Sequence, residues 1–172
     1  MLVPPMLILE MPALIPLLAV LLTTFLLCAL PVEAATPAIV HPAKGSIIAP
    51  NVTFKFEYHS IADYSVSSYN FTCWLFTAPP AFFKPSESFA EGYYLGRFSQ
   101  SNYPANTSPH NPAPLTFAMP DLSHLGGWGV GLHASHAKVY FTVIEEYGDG
   151  KPSLGYRMSL SVNEIYYNGT QR

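Results

Sequence analysis

The run Asn51–Tyr58, NVTFKFEY, alternates apolar and polar residues without a slip. A period of two cannot be buried by a helix, so this pattern commits the segment to a half-buried strand. Val52, Phe54, Phe56 and Tyr58 share one face, and Asn51, Thr53, Lys55 and Glu57 the other. The same reading places strands at Tyr69–Phe76, Leu115–Met119, Ala137–Val143 and Leu154–Val162, with shorter ones at Ala38–Val40, Ser46–Ile48 and Tyr93–Phe98. Within Tyr69–Phe76, a solvated Asn70 sends Cys73 to the core and Trp74 outward or under a loop. In Leu154–Val162, Leu154, Tyr156, Met158, Leu160 and Val162 form the expected core face. The 17 prolines and 11 glycines supply breaks between these runs, and Tyr147–Pro152 reads as a hairpin connection. Apart from a turn near Ser86–Ala90, no later segment carries a helical apolar stripe. The expected fold is all-β: an antiparallel sandwich of about seven or eight strands, interrupted by two long loops, Ser99–Pro114 and Asp121–Ser135.

Ahead of this pattern lies Leu17–Leu30, an uncharged apolar block bracketed by Pro16 and Pro31. Its length suits a signal peptide and is short for a membrane span. The small residues of Val32-Glu33-Ala34-Ala35 place a cleavage after Ala34, with the bond after Ala35 as the near alternative. The leader lacks a basic residue and carries Glu10 instead. Removing residues 1–34 from 172 leaves 138 for one domain, 35–172. Glu10 and Glu33 leave with the leader, so the remaining acidic and basic residues nearly balance. That gives no electrostatic case for nucleic acid or a charged membrane surface. Cys28 leaves too, so Cys73 has no partner in its own chain and the core must hold the fold.

Four Asn-x-Ser/Thr sequons follow the leader, at Asn51, Asn70, Asn106 and Asn168, none with proline in the middle. They predict a secreted glycoprotein with no stable membrane insertion after cleavage.

The segments Ile39-Val-His-Pro-Ala-Lys-Gly45, Leu115-Thr-Phe-Ala-Met-Pro-Asp-Leu122 and Val139-Tyr-Phe-Thr-Val-Ile144 carry a resemblance. The chain resembles the immunoglobulin-like domain of fungal cell-wall proteins associated with β-1,6-glucan assembly, over about half of the domain. It is also similar to small secreted fungal proteins of this length. Tyr58 stands where that domain usually has tryptophan, and Pro50-Asn51 replaces its glycine turn. The resemblance implies an immunoglobulin-like sandwich in an extracellular or cell-wall setting and brings no catalytic residues with it.

The residues themselves offer no strong catalytic pattern. His133 and His136 have i, i+3 spacing but lead into a strand, and the remaining histidines are scattered, so no metal site and no cofactor is expected. Copper chemistry through an N-terminal histidine does not fit a terminus at Ala35 or Thr36. Glycoside hydrolysis needs two carboxyls flanking one bond. Glu145 and Glu146 fall on opposite faces of a strand and read as solvated charge. Gly126–Gly131 lacks the Lys-Ser/Thr of a phosphate loop.

Binding fits the composition better. Of 11 Tyr, 11 Phe and 2 Trp, all but Phe25 follow the leader, and Tyr93-Tyr94 and Tyr166-Tyr167 are adjacent pairs in which one ring must point away from the core. Aromatic rings stack on the flat C–H faces of sugars. The expected glycan platform is Trp128 in its glycine-rich loop, with Tyr93 and Tyr94 as neighbours. The opposing reading is that Trp128 plugs one end of the sandwich. The expected function is a non-enzymatic module binding wall polysaccharide or an extracellular protein; the alternative is a secreted hydrolase or redox enzyme acting on wall polysaccharide.

Overall fold

A computed structural model of the chain describes residues 36–63, 66–80, 89–101, 109–122, 136–148 and 157–169. The proposed leader, Asn106 and Trp128 lie outside them. Among the described residues there are nine strands and no helix: β1 (Ala38–His41), β2 (Ile47–Ile48), β3 (Thr53–Lys55), β4 (Glu57–His59), β5 (Ser67–Phe76), β6 (Gly92–Ser99), β7 (Thr116–Ala118), β8 (Ala137–Gly148) and β9 (Arg157–Tyr167).

Five strands form one sheet in the order β2-β9-β8-β5-β6, and two ribbons, β1-β4 and β3-β7, accompany it. The pairing is antiparallel except between β2 and β9, which run parallel. This corrects the expectation of a wholly antiparallel fold: a two-residue strand has no period to read, and alternation does not encode the direction of a partner. The Asn51–Tyr58 run is likewise not one strand. It breaks at Phe56, whose N–H donates to the Leu115 carbonyl at 2.8 Å. The first half pairs with β7 and the second with β1.

One core joins sheet and ribbons. Phe71, Cys73 and Leu75 of β5, and Val139, Phe141 and Val143 of β8, pack with Phe54, Phe56, Phe117 and Met119. The Phe141 ring lies 5.9 Å from Phe54 at 89°, 5.8 Å from Phe56 and 6.3 Å from Phe117, so it touches β3, β7 and the break between β3 and β4. The Phe54 contact is edge-to-face and the other two are tilted; aromatic pairs of this kind add roughly 0.5–1.5 kcal/mol each to the burial of the rings.

Two expected core positions are not in the core. Val52 is exposed, and Leu115 is 84 % exposed, although their carbonyls accept from the Met119 and Phe56 N–H groups that continue the β3-β7 pairing. β9 departs more sharply. Met158, Leu160 and Val162 face away from the core, with Met158 63 % and Leu160 52 % exposed. The inward positions are Ser159, Ser161, Asn163, Ile165 and Tyr167. The physical reason is that β9 uses this face to hold the backbone around β1: Asn163 Nδ2 donates to the carbonyls of Ile39 (3.0 Å) and Pro42 (2.9 Å), and Ser161 Oγ to that of Pro37 (3.3 Å). Polar side chains there satisfy carbonyls that apolar ones would strand away from water.

Cys73 sits where alternation put it, fully buried. Burial pushes its thiol pKa up. Burial, and then the hydrogen bond to Glu145, raise the Tyr58 phenol as well. Both shifts favour the neutral group in the folded chain. Stability from them is complete below the ordinary thiol and phenol values, about 8.5 and 10, and drains away as pH rises above those values toward the raised native ones. We expect iodoacetamide to label Cys73 slowly in the native protein and quickly in guanidinium, and urea midpoints to fall steadily above pH 9. Equal labelling rates in the two conditions would place Cys73 outside the core.

Candidate binding face

Two places concentrate chemistry, one on each face of the five-stranded sheet. On the inner face Glu145 of β8 is fully buried, against the expectation of a solvated charge. Tyr58 donates its hydroxyl to Oε2 at 2.6 Å, Ser60 Oγ donates to Oε1 at 2.5 Å, and the Ile61 N–H donates to Oε2 at 3.1 Å. Both carboxylate oxygens are therefore engaged in pinning the segment after β4 to the sheet. A carboxylate held this way is an anchor; its lone pairs point at its own chain rather than into a cleft.

The outer face is built from cross-strand rows, because directly paired residues in antiparallel strands share a face. Asn70 pairs with Glu146, and Glu146 with Met158. In the next row Arg97, Thr72, Ile144 and Leu160 follow one another across β6, β5, β8 and β9, and in the third Tyr94, Trp74, Thr142 and Val162. Alternation would normally make such a face polar. Here it carries Met158, Leu160, Val162, Ile144, Trp74 and Tyr94. The Trp74 ring lies 4.7 Å from Tyr94 at 52° and stacks on Phe76 at 5.5 Å and 24°. Phe89, beyond the end of β5, joins Trp74, Ile144 and Met158 in lining an open groove of about 390 Å³.

Charge frames the apolar rows. Arg97 Nη2 meets Glu146 Oε2 at 2.6 Å at one end. Lys138 Nζ meets Glu164 Oε1 at 3.1 Å at the other, where the Tyr166 hydroxyl also donates to Glu164. The Lys138 partner holds the Glu164 carboxyl below its usual value. An apolar centre with polar margins is the composition of a contact surface rather than of a random exposed face.

The expected platform residues separate. Tyr94 is 48 % exposed and stands beside Trp74 on the outer face. Tyr93 pairs with Leu75 and takes the opposite face. Their separation is the ordinary consequence of adjacent positions in a strand. Trp74, Ile144 and Met158 were not expected at a site. The one signal in the sequence is the shared parity of Trp74 with Asn70; in β9, hydrophobicity alone points the apolar run toward the core.

The three described sequons also differ. Asn51 is exposed in the turn before β3, with φ +62°. Asn70 is half-buried on the outer face, and Asn168 is only 8 % exposed. Among the described residues no three His, Cys, Asp or Glu side chains group as a metal site. Comparison with protein-family models, curated proteins and solved structures gives no match to this chain.

Proposed function

We propose that the chain is a secreted, N-glycosylated, non-enzymatic binding module with an immunoglobulin-like fold, and that it takes a cell-wall polysaccharide on the outer face of its five-stranded sheet. The observation that carries this reading is the Tyr94–Trp74 row: two neighbouring rings, of which Trp74 lines a mostly apolar groove whose one charged wall residue, Glu146, is paired with Arg97. Sugars present flat C–H faces to such rings and hydroxyls to such margins.

Strand order supports the fold assignment. If β1 is strand A, β3 and β4 the two halves of B, β5 C, β6 C′, β7 E, β8 F and β9 G, the two ribbons carry A, B and E and the five-stranded sheet reads β2-G-F-C-C′, a division like that of immunoglobulin domains. The hydrolase alternative gains nothing comparable: Glu145 and Glu146 stand on opposite faces, one anchored to Tyr58 and Ser60, the other paired with Arg97.

The test is retention of the full chain, trimmed of its N-glycans, on insoluble β-glucan and on chitin. Trp74→Ala should weaken retention about tenfold, equivalent to ~1.4 kcal/mol, while Trp128→Ala tests the loop platform separately. If wild-type protein is retained on neither polymer, or if Trp74→Ala is retained as well as wild type, the outer face is not the polysaccharide site.

A further inference from the structure

We propose that an N-glycan on Asn70 lies along the outer face and closes it, so that the unmodified and modified forms of this chain are its open and shut states. The inference rests on the polysaccharide reading of that face.

Asn70 opens the sequon Asn70-Phe71-Thr72 in the middle of a long strand. Phe71 points inward and is buried, which fixes Asn70 on the side opposite the core. Ser99 Oγ donates to Asn70 Oδ1 at 3.4 Å, leaving that bond on the oxygen and not on Nδ2, the atom that takes the sugar. In glycosylation, Nδ2 displaces a lipid diphosphate from the anomeric carbon of an oligosaccharide donor. A C–N bond replaces the C–O bond, and one amide proton passes to the transferase's base. The product is bulky and polar and needs a surface to lie on.

That surface is the apolar one. Along a strand, same-face positions repeat about every 7 Å, so Thr72 lies one step from Asn70 and Trp74 two. Across the strands, Asn70 shares its row with Met158. The first sugars from Asn70 therefore start at the edge of the Ile144, Leu160 and Trp74 rows. Asn51 is in a turn and Asn168 is buried, so of the described sequons Asn70 alone opens onto this face. A tethered sugar acts at an effective concentration on the order of millimolar, enough to exclude a weakly held polymer in free solution. A glycan over Met158 and Leu160 also accounts for an apolar face on a protein built for an aqueous exterior.

The experiment compares full chains secreted from a glycosylating eukaryotic host: wild type, wild type trimmed by endoglycosidase, Asn70→Gln, and Asn51→Gln as control. Asn70 occupancy is mapped by peptide mass, Met158 oxidation by dilute peroxide is timed, and retention on β-glucan and chitin is measured. The expected result is an occupied Asn70, with Met158 oxidised about threefold or more faster in Asn70→Gln and in trimmed protein than in wild type. Asn51→Gln should be unchanged, and retention should rise when the Asn70 glycan is removed. An unoccupied Asn70, or equal Met158 oxidation with and without the glycan, overturns the proposed cover. Retention that does not change when the glycan goes overturns the closing role. Slower Met158 oxidation with no retention by any form keeps the cover and overturns the polysaccharide reading.

Discussion

Glu145→Ala should cost about 3–5 kcal/mol of folding stability and lower the melting temperature by about 10 °C or more. The substitution removes one fully buried acceptor group and leaves three half-buried donors, the Tyr58 hydroxyl, Ser60 Oγ and the Ile61 N–H, without their partner. Hydrogen bonds to a charged acceptor are the expensive ones to break, and here two of the three come from side chains that the sheet cannot re-pair. Glu145→Gln should fall between alanine and wild type, because the amide keeps one oxygen but turns an NH2 toward a donor. The neighbouring Glu146→Ala is the internal control. Its partner Arg97 is on the outer face, and partly exposed pairs contribute at most about 1 kcal/mol. Chemical denaturation of the three variants settles the matter. Comparable losses for Glu145→Ala and Glu146→Ala would mean that Glu145 is solvated after all.

Phe141→Ala should be as damaging, at about 3–5 kcal/mol, through packing rather than polarity. Phe141 is fully buried at the middle of β8, and its ring meets Phe54, Phe56 and Phe117. Removing it opens a cavity lined by three rings, those of Phe54 in β3, Phe117 in β7 and Phe56 at the break after β3. Collapse into that space would require β3 and β7 to move against the sheet. Leu160→Ala, in the adjacent strand but on the outer face, should change stability by less than about 1 kcal/mol. A Phe141→Ala loss as small as that of Leu160→Ala would show that sheet and ribbons do not share a core.

Much of the inner face could be read directly. Phe54, Phe56, Phe71, Cys73, Val139, Phe141 and Val143 all stand where a period of two places them. Alternation divides a strand into two faces, but hydrophobicity alone decides which one is taken as inward. That step fails in β9. There the inward side chains serve hydrogen bonds to the carbonyls of Pro37, Ile39 and Pro42, and the apolar set is turned outward. The same failure hides the candidate face, since alternation and hydrophobicity together point Met158 and Leu160 inward. Glu145 was hidden for a different reason: its three donors lie more than 80 residues away in sequence, and no local pattern announces a carboxylate that anchors a distant segment. Trp74 was legible in part, through its shared parity with Asn70.

The order of strands in the main sheet sets a schedule for the chain as it is made. β8 is the middle strand, and β9 links it to β2, yet these two are the last of the nine to be synthesised. Until they emerge, β2 has no neighbour to join, and β5 and β6 are an isolated pair of strands, which is at best marginally stable in water. The parallel contact of Ile47 with Tyr166 then closes most of the domain's length in one step, the kind of distant pairing that slows folding. On the proposed secretory route, Asn51 and Asn70 pass the glycosylating enzymes in a chain that cannot yet fold around them, whereas Asn168 arrives together with the strand that buries it.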